Sequence, residues 1–153
     1  MRNRKKITLL GWILPVCTVC YCFVSCKTAP RVEDGQTIPF SLCDGYFVRN
    51  DAPRIPRGKI TSQAAFDRFF GGAATMSNLP TEIDFKKQFV IAVSQTVTDT
   101  ATTYEPMSLV REGRNLKFTY RVDKGEKLSY SVQPLMLIVV DRQYEAAVEL
   151  LEK

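Results

Sequence analysis

The spacing of apolar positions changes along this chain, and each change predicts an element. Ile7–Val24, "ITLLGWILPVCTVCYCFV", carries no charge. Lys27 to Leu42 mixes proline, glycine and charge without a period and reads as a tether, with Ile38 and Phe40 as the residues that could already pack on the domain. Tyr46–Val48 is short and apolar, with Asp44-Gly45 as a turn before it and Pro53 and Pro56 ending any continuation, and predicts a first strand. In "TSQAAFDRFFGG" the aromatics Phe66, Phe69 and Phe70 recur at helical spacing. Thr61 or Ser62 can cap the start and Gly71-Gly72 can end it, so a helix is expected over about residues 61–71.

Phe89–Val97, "FVIAVSQTV", is apolar on both alternating faces at its start and predicts a central strand. Thr98–Thr103, "TDTATT", reads as a polar loop. Beyond it, Met107, Leu109 and Arg111 alternate on one side, Glu112–Asn115 forms a hairpin turn, and Leu116, Phe118, Tyr120 and Val122 alternate with Lys117, Thr119 and Arg121. Asp123–Lys127 reads as another turn. Leu128, Tyr130 and Val132 alternate before the continuous apolar run Leu135–Val140, and Pro134 marks a bulge or the gap between two strands. The tail is ambiguous. Tyr144, Ala147, Val148 and Leu151 make a helical stripe, and Tyr144, Ala146, Val148 and Leu150 alternate as a strand; propensity leans to helix, and the succession of strands before it pulls toward strand. Together these elements predict one α+β domain over residues 43–153, a small, mostly antiparallel sheet with one packed helix.

The first 26 residues change how the rest is read. Arg2, Arg4, Lys5 and Lys6 precede the uncharged run, and Ser25-Cys26 follows it. Basic flank, apolar core and small residue are the order of an export signal. "FVSC", Phe23–Cys26, resembles the lipoprotein signal box of bacteria, with Val24 and Ser25 in its usual pattern and Phe23 a less usual first residue. The resemblance implies cleavage after residue 25, acylation of Cys26 and a tether over residues 26–42. It implies a membrane contact through the N-terminal lipid, in the cell envelope and at the outer membrane. An uncleaved transmembrane helix and a plain signal peptide are the alternatives. The chain also resembles the small lipoproteins of Bacteroides-type bacteria.

Charge and cysteine content follow from that reading. The whole chain has 21 basic and 16 acidic residues, a net +5. Without the four basic residues of the leader, 17 face 16, a net +1, so no nucleic-acid partner is expected. Cys17, Cys20 and Cys22 leave with the signal, so "CTVC" is not read as a redox motif. Cys43 remains as a small hydrophobe.

Candidate chemistry is sparse. The chain has no histidine, which removes Ser-His-Asp and Cys-His catalysis and any histidine-ligated metal. No P-loop or GxGxxG occurs. Neither a cofactor nor a metal site is expected. Glu82, Asp84, Glu105, Glu112 and Asp123 are the acids a carboxylate-dependent hydrolase would draw on. Each reads better as a turn or surface group, with Asp84 capping the turn before the central strand. The basic run Arg49, Arg54, Arg57 and Lys59 is either solvated or faces an acidic partner or lipid headgroups.

A second resemblance spans Ile60–Leu150. The order "ITSQAAFDRFF", "LPTEIDFKKQFVIAV", "LVREGRNLKFTYRV", "LMLIVV" is similar to the C-terminal domain of a bacterial protease-complex, or protease-stabilising, lipoprotein family. The matching residues are Asp84, Phe85, Val90, Ile91, Val93, Gly113, Leu116 and Val122. That family carries a threonine, a glycine pair and a tyrosine after the central strand. Here Tyr104 stands at the tyrosine's place and the glycines are absent. The resemblance implies a non-enzymatic protease-accessory or inhibitor-like module that binds an exported protein. The candidate contacts are Thr98, Asp99, Thr100, Thr102, Thr103 and Tyr104, with Arg54 and Arg57 beside them. A glycan- or small-ligand-binding envelope protein is the alternative, and a small hydrolase the third reading.

Overall fold

The computed structural model describes residues 33–73 and 79–153. The expected leader and signal box with Cys26, and residues 26–32 of the expected tether, lie outside them. Nine strands run in chain order: β1 Phe40–Leu42, β2 Tyr46–Val48, β3 Gly58–Ile60, β4 Phe70–Gly72, β5 Gln88–Ser94, β6 Thr98–Glu112, β7 Asn115–Val132, β8 Leu135–Asp141 and β9 Ala147–Glu152. One short helix, α1 Gln63–Asp67, lies between β3 and β4, and a single 3₁₀ turn, Arg142–Tyr144, precedes β9. The described chain is mostly antiparallel β-sheet with a single short helix.

Most of it is one long hairpin folded back on itself. β5 pairs with β8 from Gln88↔Asp141 to Ser94↔Leu135. The same two chain directions continue as β6 and β7, from Thr98↔Val132 to Glu112↔Asn115. Gly113, at φ +56°, closes the tip. The bend lies between Ser94 and Thr98 on one arm and at Gln133-Pro134 on the other. There the Ser94 hydroxyl donates to the Pro134 carbonyl (2.9 Å) and the Gln133 amide to the Gln95 carbonyl (3.1 Å). Pro134, without an N–H for a ladder, thus marks the gap between two strands.

Folding back makes two facing sheets. The first has the order β1-β8-β5-β3, the second β6-β7-β9. Between them lie Phe89, Ile91, Val93, Met136, Ile138 and Val140 from one sheet and Leu109, Leu116, Phe118 and Tyr120 from the other. The opposite face of β5 and β8 places Val90, Ala92, Leu137 and Val139 against a second cluster, formed with α1 and the β2-β4 ladder. β5 is therefore buried on both faces, as its unbroken apolar run predicts. In the second cluster Phe66 is the hub, with Tyr46, Phe70 and Phe85 ring centroids 5.0, 4.7 and 5.7 Å away.

Several expectations change. The tether does not reach residue 42. The Gly35 N–H donates to the Arg111 carbonyl and the Ile38 N–H to the Leu109 carbonyl, both at 2.7 Å, and Ile38 is fully buried. This segment first lies along β6, where Thr37 bridges Val110, and then crosses to pair with β8 as β1. It closes one side of the two-sheet core. The helix is shorter than the span 61–71. Ser62 does cap it, accepting from the Ala65 N–H at 3.3 Å, but it ends at Asp67. Phe70-Gly71-Gly72 is β4, paired with β2, and the glycines do not cap a helix. The three aromatics still bury together, since Phe66, Phe69 and Phe70 all belong to the second cluster.

Asp123–Lys127 is not a turn but part of β7, where a Cβ on Gly125 would meet that of Ala101 at 3.3 Å. Met107 does not share the face of Leu109: a bulge between Pro106 and Ser108 turns it outward, and it is half exposed. The tail is a strand, β9, running parallel to β7 from Asn115↔Ala147 to Tyr120↔Glu152. Its inward residues Val148 and Leu150, with Tyr144 and Ala146 before them, follow the alternating set.

Candidate functional site

The six candidates from Thr98 to Tyr104 are not on a loop. They form the first part of β6, in a two-stranded ribbon with β7. No hydrophobic residue between Val93 and Leu109 on one arm, or between Tyr120 and Met136 on the other, is fully buried. Tyr104 and Val122 pack partly on the core at the ribbon's base. The rest of the ribbon is held by its ladder and by exposed ion pairs, Lys127 with Asp99 (3.1 Å) and Arg121 with both Glu105 and Asp123. Isolated two-stranded ribbons are marginal in water, so the continuous ladder on either side holds this one in place.

Its β6 strand carries local side-chain bonds. The Thr100 N–H donates to Thr98 Oγ1 (3.2 Å), and the Thr102 hydroxyl donates back to the Thr100 carbonyl (3.0 Å). Two threonine side chains thereby satisfy the backbone N–H and carbonyl of Thr100, between two irregularities of the ladder. Thr103 pairs with Asp123, and Lys124, Glu126 and Lys127 line the other strand. Charges of this kind blunt exposed edges.

The ribbon's other feature is a wide bulge. Thr98 pairs with Val132 and Thr100 with Lys127, which leaves Leu128–Ser131 opposite Asp99 alone. Bulged residues are re-aimed, and Tyr130 stands 62% exposed. Val97, at the ribbon's base, is 61% exposed. Sequence alternation misses Tyr130, because Leu128, Tyr130 and Val132 read as one inward face.

The basic candidates are engaged within the fold. Arg54 lies over the Phe69 ring at 5.4 Å. Arg57 donates to the hydroxyl of the buried Tyr120 at 2.8 Å. Arg49 holds Asp51 through two bonds of 2.9 Å, and Lys59 pairs with Glu145 at 3.1 Å. The run 49–59 is therefore not a free basic face. Two of the candidates do meet. Tyr104 sits edge-on to Tyr120, centroids 5.9 Å apart, with Arg57 on the Tyr120 hydroxyl. Burial raises the Tyr104 phenol above its usual range, and the charge of Arg57 works against that rise. Arg54 and Ile55 also border a groove of about 290 Å³ whose far wall is Val97 and Gln133, so the two candidate segments converge at the ribbon's base.

Tyr104 has a second neighbourhood. With Leu42, Cys43, Asp44, Tyr46 and Met136 it lines a cleft of about 230 Å³. Cys43 is a free thiol, 5% exposed, and burial pushes it up to about 11. That is the reverse of what a reactive thiol needs.

The carboxylates are spread over surface pairs and turns. Glu112 binds Lys117 (2.9 Å) and Glu105 binds Arg121. Asp84 accepts from the Lys86 N–H (2.9 Å); this bond, with Lys87 beside it, holds the carboxyl below its usual range. Asp84 thus occupies the capping place expected of it. Among the described residues no three acids, cysteines or histidines gather as metal ligands, and no helix is long and apolar enough to cross a membrane.

No family model, curated protein or solved structure matches the chain.

Proposed function

We propose that the chain is a lipid-anchored cell-envelope protein whose β module binds another exported protein and performs no chemistry of its own, with the ribbon as its docking element. One observation carries this reading: the four-residue bulge Leu128–Ser131 holds Tyr130 out of an ordered strand. Ordering a residue costs about 1–2 kcal/mol of conformational entropy. The ribbon orders its residues without burying any of them fully. An exposed tyrosine on a rigid support is the residue type that dominates protein interfaces. The charged residues Lys124, Glu126 and Lys127 of the partner strand disfavour strand addition and direct the contact to side chains. The finer reading, an accessory or inhibitor of an exported protease, rests on the resemblance of Ile60–Leu150 to the protease-stabilising lipoproteins. Anchoring rests on the signal box at Cys26.

The test is capture from membranes. The full chain, tagged at its C-terminus and extracted in mild detergent, is expected to bring down an exported protein, and Tyr130→Ala with Val97→Asp to lose it. Capture unchanged in that double variant overturns the docking role of the ribbon. Cys26→Ala is expected to move the protein from the membrane to the soluble fraction; retention on the membrane refutes lipid anchoring.

A further inference from the structure

Phe47 in β2 is a large apolar side chain left 50% exposed on an ordered ladder. Its cross-strand partner in β4 is Gly71. A Cβ on Gly71 would come within 2.5 Å of the ring's Cζ and 3.0 Å of both Cε atoms. The ring therefore lies across the ladder with one side on bare backbone, and only a glycine opposite permits that pose. The open side borders a shallow groove of about 350 Å³, completed by Arg49, Asn50 and Asp51.

The polar wall of this groove is paired and neutral. Arg49 Nε and Nη2 each donate to one Asp51 carboxylate oxygen at 2.9 Å, a two-bonded fork between exposed side chains. The pair leaves the other guanidinium N–H groups and the remaining carboxylate lone pairs for a ligand, with the Asn50 amide beside them. A second groove, about 390 Å³, continues across the same pair and is lined by Pro53, Asp67 and Arg68. Its charges also balance, two basic against two acidic.

We propose that Phe47 and the Arg49–Asp51 fork form a carbohydrate-binding platform for a neutral oligosaccharide. An aromatic face takes the C–H face of a pyranose ring, and planar side chains with both donors and acceptors take its equatorial hydroxyls. Charge balance disfavours phosphate or a strongly ionic peptide, which would need a net countercharge. Two contiguous grooves suit more than one sugar unit. Tyr130 lines neither groove, although Arg49 and Asn50 also border the groove that reaches Val97.

The test is calorimetric titration of the full detergent-solubilised chain with cellohexaose, xylohexaose, maltohexaose and mannohexaose, with hydrogen exchange of residues 46–51 followed in parallel. At least one oligosaccharide is expected to bind saturably and slow exchange in that segment. Phe47→Ala is expected to weaken binding at least tenfold, Phe47→Trp to keep it, and Tyr130→Ala to leave it unchanged. Asp51→Asn, which frees the fork without touching the ring, is expected to weaken it as well, and it serves as the probe should Phe47→Ala fail to fold. Absence of binding to all four sugars overturns the proposal. So does binding that Phe47→Ala and Asp51→Asn leave intact, or a groove that takes up only apolar peptide.

Discussion

Tyr120 and Cys43 show how much single residues carry here. Tyr120 is 1% exposed, stacks beside Phe118 at 5.9 Å and accepts from Arg57 through its hydroxyl. Tyr120→Phe keeps the ring and removes only that acceptor. Arg57 is exposed enough to rehydrate, so the loss is expected at the low end of the about 1.5–3 kcal/mol that a hydrogen bond to a charged group contributes, read as a shift in urea midpoint with an unchanged slope. Cys43 titrates at about 11 in the folded chain and ordinarily near 9.0. The native state holds its proton where the unfolded state has lost it. This contribution to stability is fully present below pH 9 and is lost as pH rises through 11. At pH 8 the thiol is expected to resist iodoacetamide while the chain is folded and to react on denaturation; rapid labelling of the native protein would contradict its burial. The sequence already isolates Cys43 as an unpaired small hydrophobe. It cannot reveal Arg57 on Tyr120, because that contact joins residues 63 positions apart.

Elements were legible where one face is buried, and obscure where neither is. Leu116, Phe118 and Tyr120 alternate in the sequence with Lys117, Thr119 and Arg121 on the opposite face; all three are buried, and of the opposite set Thr119 is buried as well, at 7% exposure. The ribbon ahead of them has no such contrast: "TDTATT" is polar on both faces, and "DKGEK" carries the composition of a turn. Pairing between the two makes them strands, and pairing leaves no periodic trace when both faces are wet. The tail stayed open between helix and strand for a related reason. Ala, Glu and Leu favour helix in isolation, but the open edge of β7 supplies a ladder that outweighs a few tenths of a kcal/mol per residue. This contrast predicts a gradient in amide exchange. Protection in β5, in β8 and in residues 116–120 of β7 is expected to approach that of global unfolding. Residues 98–103 and 123–131 are expected to exchange through local opening, orders of magnitude faster. Phe118→Ala, in the protected part, is expected to cost about 3–5 kcal/mol. Uniform protection along the whole hairpin would mean that the ribbon is packed on something.

At the scale of the molecule, the two sheets are closed by different means on their two sides. On one side residues 35–42 bond first to β6 and then to β8, a backbone connection. On the other, β3 and β9 come close but belong to different sheets, and the seam is made by side chains: Lys59 to Glu145 (3.1 Å), and Arg142 to the Thr61 carbonyl (2.6 Å). Neither the fold-back nor the seam is visible in a one-dimensional pattern, since both depend on which strands meet. Their energetic weights differ. The Lys59–Glu145 pair is roughly 30% exposed on each side, and such pairs contribute at most about 1 kcal/mol. Lys59→Ala is therefore expected to shift the melting temperature by only a few degrees, and less at high salt. β9 is different in kind. It has no fully buried residue of its own, yet it covers the β7 edge above Leu116 and Phe118, both 0% exposed. Removing residues 147–153 would strip a six-residue ladder and bare an apolar strand edge, which pairs readily with another chain. The expected result is a chain that self-associates in light scattering and loses its cooperative transition, where Lys59→Ala remains cooperative and keeps the oligomeric state of the parent chain. A stable truncated form with the parent's oligomeric state would show that the seam, and not the ladder of β9, holds that side of the core.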